Sequence, residues 1–301
     1  MTISRPLAAS AAVGLSGLMW GLWWIPLRYL SAAGLNGDWA SVSFYVAATI
    51  LMAPAIWWRR SAWRTGGGHL LMIGLLSGGS FALWNHALID GLVVRVTLLF
   101  YLAPVWATAI NAIVFREPVR PLRALAVLLG LVGAATVLGL EQGMSQPLMT
   151  SDWLALLTGG CFAIVAVWTR RVAHIGGFEK TFASSALAVP VALALAVFLP
   201  HGPVPSAATF VASLPGIALG MFWLIPVMWL LLWGAAHLDA GRVAILLLLE
   251  IVAAAVSAAL LTDEPFGLRE TIGCLCILAA GLVEGFEEMR TARALPVAPG
   301  A

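Results

Sequence analysis

Two stretches decide the fold. Val94-Arg95-Val96 opens an apolar run that closes on Phe115-Arg116-Glu117-Pro118, and Gly241-Arg242-Val243 opens another that closes on Thr262-Asp263-Glu264-Pro265. Arg95 and Arg242 stand 147 residues apart, and so do Glu117 and Glu264. Each copy sets a Glu-Pro turn between two long hydrophobic segments. A hydrophobic half stated twice at fixed spacing is the pattern of a membrane protein built from structural repeats.

Composition agrees. Of 301 residues, 61% are hydrophobic and only 10% charged, with a mean hydropathy of +0.98. Soluble domains carry about 25% charged residues, so this chain has too little polar surface to dissolve as a globule. Its solvent is lipid. A net charge of +2 with no basic stripe excludes a nucleic-acid partner. Cys161, Cys274 and Cys276 lie inside apolar segments and read as reduced thiols, and no metal site or cofactor is expected. The apolar run from Pro6 to about Leu30 is too long for a cleaved signal core and long enough to cross a bilayer.

Ten spans are expected, at about 7–30, 40–58, 69–90, 94–115, 121–140, 152–170, 180–199, 209–236, 241–261 and 267–287. The expected fold class is an all-α polytopic membrane protein of ten transmembrane helices in two inverted five-helix repeats. Residues 1–145 form the first repeat, 146–290 the second, and 291–301 a disordered tail. With the N-terminus cytoplasmic, 13 of the 16 Arg and Lys residues fall on the cytoplasmic side, leaving Arg28, Arg95 and Arg269 opposite. This bias places both termini in the cytoplasm of an inner-membrane protein. Five spans per half is an odd number, so the halves are inverted and any shared site lies near the midplane.

The repeat extends further. Gly78-Gly79-Ser80 in span 3 aligns with Pro226 in span 8, and Trp20 in span 1 aligns with Phe162 in span 6 at an offset of 142. With Leu18-Met19-Trp20-Gly21, Leu102-Ala103-Pro104-Val105, the two Glu-Pro turns and Gly130-Leu131-Val132-Gly133, the chain resembles the drug/metabolite transporter superfamily. The match is to its ten-span branch with two EamA-type repeats, and is nearest in pattern to the YddG-type aromatic amino acid exporters. That resemblance implies a central cavity lined by spans 1, 3, 4, 6, 8 and 9, with spans 5 and 10 peripheral. One departure stands out: Ile251 occupies the place that Pro104 holds in the first half.

Glu250, in the middle of an apolar span, is the sharpest candidate. A carboxylate there costs a few kcal/mol and usually marks a pathway, here as a partner for a substrate ammonium or a proton. The bland alternative is a protonated structural acid. Asn85 and His86 form the polar spot of span 3, suited to a substrate carboxylate, to proton exchange at His86, or to interhelical hydrogen bonding. Trp20 and Trp24 share a helical face, and Phe81 precedes Asn85 by one turn. With Tyr101, Phe162 and Trp229 they make a stacking pocket, unless they pack on lipid or neighbouring helices. Trp39, Trp57, Trp58, Trp63 and Trp153 sit near span ends and read as interfacial belts. Pro104 and Pro226 read as hinges and Pro190 as a static bend. Arg95 and Arg242 read as snorkelling anchors, and the Gly130/Gly133 and Gly273/Gly281 pairs as close helix contacts.

These residues point to a secondary transporter, acting as a monomer in the bilayer, that exports small organic solutes by alternating access. Amino acids, aromatic or otherwise hydrophobic, come first, because Glu250 would meet an ammonium and Asn85 or His86 a carboxylate. A multidrug exporter of lipophilic cations is the alternative, needing only the acid. An intramembrane lipid-modifying enzyme is remote, since the five histidines are scattered and no catalytic constellation appears.

Overall fold

The computed structural model describes residues 5–35, 37–91, 93–116, 118–138, 147–199, 203–261 and 267–294. Glu117 and Glu264-Pro265, and hence the core of both Glu-Pro turns, lie outside them. Among the described residues there is no strand. In chain order the helices are α1 (Arg5–Gly21), α2 (Trp24–Ala32), α3 (Gly37–Trp58), α4 (Arg60–Gly74), a π-helical turn (Leu75–Gly79), α5 (Ser80–Asp90), α6 (Val93–Phe100) and α7 (Ala103–Phe115). They continue as α8 (Pro121–Leu138), α9 (Thr150–Arg171), α10 (Gly177–Phe198), α11 (Ala207–Ala235), α12 (Ala240–Leu247), α13 (Leu249–Leu261) and α14 (Leu268–Ala294).

Eight helical stretches among the described residues are long and apolar enough to cross a membrane. Two of the ten expected segments are not among them. Segment 94–115 forms helices of 8 and 13 residues, of which the second counts only as a shorter apolar helix. In α14, charged residues stand near both ends, at Arg269-Glu270 and at Glu284, Glu287 and Glu288. The helix continues to Ala294, past the expected start of the tail.

The distribution of side chains is that of a protein in lipid. Large apolar residues face outward, with Leu282 74% and Leu128 59% exposed, while Ser16, Lys180 and Thr169 are fully buried. Inside, backbones approach where glycine allows. A Cβ on Gly133 would stand 2.7 Å from the Gly273 carbonyl, and one on Gly273 would stand 2.7 Å from that of Gly133, so α8 and α14 cross backbone to backbone. Gly130 meets Leu248, while Gly281 has open space around it. Gly74 and Gly78 do the same for the α4–π segment against α10, facing the carbonyls of Ala183 and Ser184.

Three spans break midway. Pro26 has no N–H to offer the Leu22 carbonyl and its ring would clash with it, so α1 stops at Gly21 and the chain crosses Leu22-Trp23 in three-residue turns. Pro104 acts likewise on Phe100, and the break falls at Tyr101-Leu102. Span 9 breaks at Leu248, where Leu248 N–H bonds to Ile245 and Ile251 N–H to Leu248. No proline stands there. The span nonetheless breaks where the first half has its Pro104 break, although Ile251 stands in the proline's place. The breaks at Tyr101 and Leu248 are 147 residues apart, the spacing of the sequence motifs. The second break lies where Gly17 and Gly21 of α1 press against the backbone of Leu246, Leu247 and Glu250. By contrast α11 runs unbroken through both Pro215 and Pro226, and α10 through Pro190. Pro226 thus lies inside a continuous helix and is not a break.

Candidate substrate cavity

A cavity opens where the broken spans meet. Six aromatic rings form one part of its wall: Trp20 from α1, Phe81 and Trp84 from α5, Phe100 and Tyr101 at the α6 break, and Phe162 from α9. Trp20 and Phe81 are stacked with centroids 5.1 Å apart. Phe100 joins the rest, 5.7 Å from Trp84, 5.6 Å from Tyr101 and 6.1 Å from Phe162. The rest of the lining is Ala103, Pro104, Leu231, Ala244, Leu247 and Glu250.

Glu250 is the ionisable carboxyl of this wall, and the Tyr101 hydroxyl donates a hydrogen bond to it. Both groups come from helix breaks, Tyr101 within one and Glu250 two residues past the other. The carboxyl is therefore not in mid-helix, as its position in the apolar run suggested. It sits in the first turn of α13, where unsatisfied N–H groups and the positive end of the helix dipole favour an anion. Irregular backbone at membrane depth is tolerated where it lines a cavity, and these breaks do. The indole N–H groups of Trp20 and Trp84 are buried and have no hydrogen-bond partner among the described residues.

Of the residues expected to bind substrate, Trp20, Phe81, Tyr101, Phe162 and Glu250 come together here, with Pro104 beside them. Four do not. Trp24 lies beyond the α1 break, donating from Nε1 to Ser257 Oγ at 3.0 Å and carrying the Arg28 guanidinium 5.8 Å above its ring. Asn85 donates to Ser41 Oγ at 3.1 Å, and His86 is buried with Nδ1 3.0 Å from Asp38 Oδ2. Trp229 is 38% exposed and stacks on Trp233. Pro226 does not line the cavity either. Arg242, expected to snorkel, is buried. The side chain of Arg95 lies outside the description. Trp57, Trp58 and Trp153 are exposed as a belt requires, while Trp39 packs on the core.

Sequence reasoning missed Trp84 and Phe100. Trp84 follows Phe81 by three residues and so shares its face, which was a usable signal. Phe100 directly precedes Tyr101 at the Pro104 break. It also missed Asp38, whose partner His86 lies 48 residues away.

The EamA-like transporter family model matches the chain twice, over residues 8–139 and 149–283. The chain belongs to the EamA-like transporter family. No curated protein matches it at a significant level. Among solved structures, a protein described only as "Crystal structure of protein" superposes with a TM-score of 0.75 at 16% identity, over 96% of this chain and 99% of its own. At that identity the likeness speaks for the fold. As a member of the drug/metabolite transporter superfamily, this EamA-like protein is a multi-pass membrane transporter of small solutes.

Proposed function

We propose that this EamA-like transporter is a secondary exporter of small organic solutes that join an aromatic or hydrophobic body to a protonated amine. The observation that carries the reading is one carboxyl set in a wall of six aromatic rings. Rings present negative faces to a cation, an arrangement used to recognise alkylammonium groups, and Glu250 supplies the counter-charge. Asn85 and His86, the donors that favoured an amino acid carboxylate, are engaged with Ser41 and Asp38 away from the cavity. This shifts the preference from zwitterions to organic cations.

Supporting the wider frame are the two matched segments of the family model and the paired breaks at Tyr101 and Leu248. We read them as two inverted five-span repeats, ten spans in all, with the moving parts rocking around the midplane cavity. The arginine bias puts both termini in the cytoplasm of the inner membrane.

Counterflow in proteoliposomes tests the substrate class. Labelled phenethylamine should accumulate against an unlabelled internal pool, and Glu250→Gln, expressed normally, should lose it. A second reading, export of aromatic amino acids, is favoured by the unpartnered Trp20 and Trp84 N–H groups, which would serve a carboxylate. Accumulation of phenylalanine without phenethylamine would replace the cation reading with this one.

A further inference from the structure

One end of the cavity is bounded by two short stretches of helix. On α12, Ala244 lines the cavity and Gly241 stands one turn further out; on α7, Pro104 lines it and Thr108 stands one turn further out. These outer positions converge. A Cβ on Gly241 would lie 2.9 Å from Thr108 Oγ1, 3.4 Å from Asp239 Oδ1 and 3.5 Å from Arg123 Cδ. Thr108 Oγ1 is itself buried without a partner among the described residues.

Across this point runs a two-pronged ion pair. Arg123 Nη1 is 2.6 Å from Asp239 Oδ1 and Nη2 is 2.8 Å from Asp239 Oδ2, with both side chains less than one-fifth exposed. Paired donors on both oxygens make the strongest form of this contact. Asp239 also caps α12, since Oδ1 accepts the Arg242 N–H at 3.0 Å. Arg123 therefore grips the start of the half-helix that carries Ala244 and Leu247 and leads to Glu250. It reaches from α8, in the first matched segment, to the α11–α12 corner, in the second.

We propose that the Arg123–Asp239 pair is the closure of this end of the cavity, and that its release swings the α11–α12 corner from α7 and α8 to open the passage beside Thr108. The inference stands on the geometry and does not depend on which solute is carried. The Arg59–Glu179 pair, at 3.0 Å, supplies a contrast. It sits at the end of the α3–α10 seam, which close packing zips along its length, so its loss opens nothing.

The test is the labelling rate of Thr108→Cys by an impermeant maleimide, in full-length protein with Cys161, Cys274 and Cys276 replaced by Ala, in oriented membrane vesicles. Asp239→Asn keeps a side chain that caps helices but removes the charge. It should raise the rate at least about threefold from one face of the membrane only, as expected when a partly buried pair biasing a two-state equilibrium is lost. Glu179→Gln should leave the rate unchanged, and Arg123→Lys should raise it less than Arg123→Gln. Unchanged labelling in Asp239→Asn would overturn the proposal. So would an equal rise at Ser31→Cys, at the far end of α2, because that pattern reports loosening of the whole bundle.

Discussion

At the scale of single residues, Glu250 and Tyr101 are one unit. Glu250→Gln keeps shape and removes charge, and transport of an organic cation is expected to fall to background with normal expression, measured by counterflow. Tyr101→Phe removes one hydrogen bond to the carboxyl while keeping the ring. Losing it costs about 1 kcal/mol, which raises the half-saturating concentration roughly three- to tenfold. Asn85→Ala should leave that concentration unchanged, because Asn85 serves Ser41. The cavity was legible from sequence where helical phase is continuous. Trp20 and Phe162 were paired by the repeat, and Glu250 stood out as an acid in an apolar run. Trp24 was misplaced because the i, i+4 rule assumes one uninterrupted helix, and Pro26 interrupts it between the two tryptophans. Asn85 and His86 were misplaced for a subtler reason. The α5 face that meets the cavity is centred between Phe81 and Trp84, so Asn85 falls at its edge and His86 turns away toward Asp38.

Among the elements, the informative comparison is between two breaks of unlike cause. The α6–α7 break has a covalent cause in Pro104, and the α12–α13 break has none in its own sequence. Tertiary contact from the glycines of α1 coincides with the second, which is why no local signal revealed it. If packing suffices to hold a break, Pro104→Ala should retain most transport and shift the melting temperature in detergent only slightly. Gly21→Val should do the reverse. Its Cβ alone would stand 2.6 Å from Ala253 Cβ and 2.8 Å from Ala254 N, and overpacking of this kind costs about 1–3 kcal/mol. A lowered melting temperature together with weakened cation binding is expected, since the same contact sets the position of Glu250. The π-helical turn at Leu75–Gly79 overlaps the Gly78-Gly79-Ser80 stretch that aligns with Pro226, although nothing in that alignment revealed an added residue in the turn.

For the molecule as a whole, the orientation we propose rests on charge. A fluorescent protein fused after Ala301 should fold and glow, and alkaline phosphatase fused there should stay inactive; the opposite pair of results would invert the topology. The sequence also divided the chain at residue 145, and the contact between Gly133 and Gly273 qualifies what that division means. It binds the last helix of the first half to the last helix of the second so closely that no side chain fits between them. Two bodies fused along such a line cannot slide or part there. On the proposed two-repeat reading, the junction of the halves is then not the boundary of motion: α8 and α14 are expected to hold as a fixed frame, and the strokes of alternating access to belong to the broken helices packed beside them.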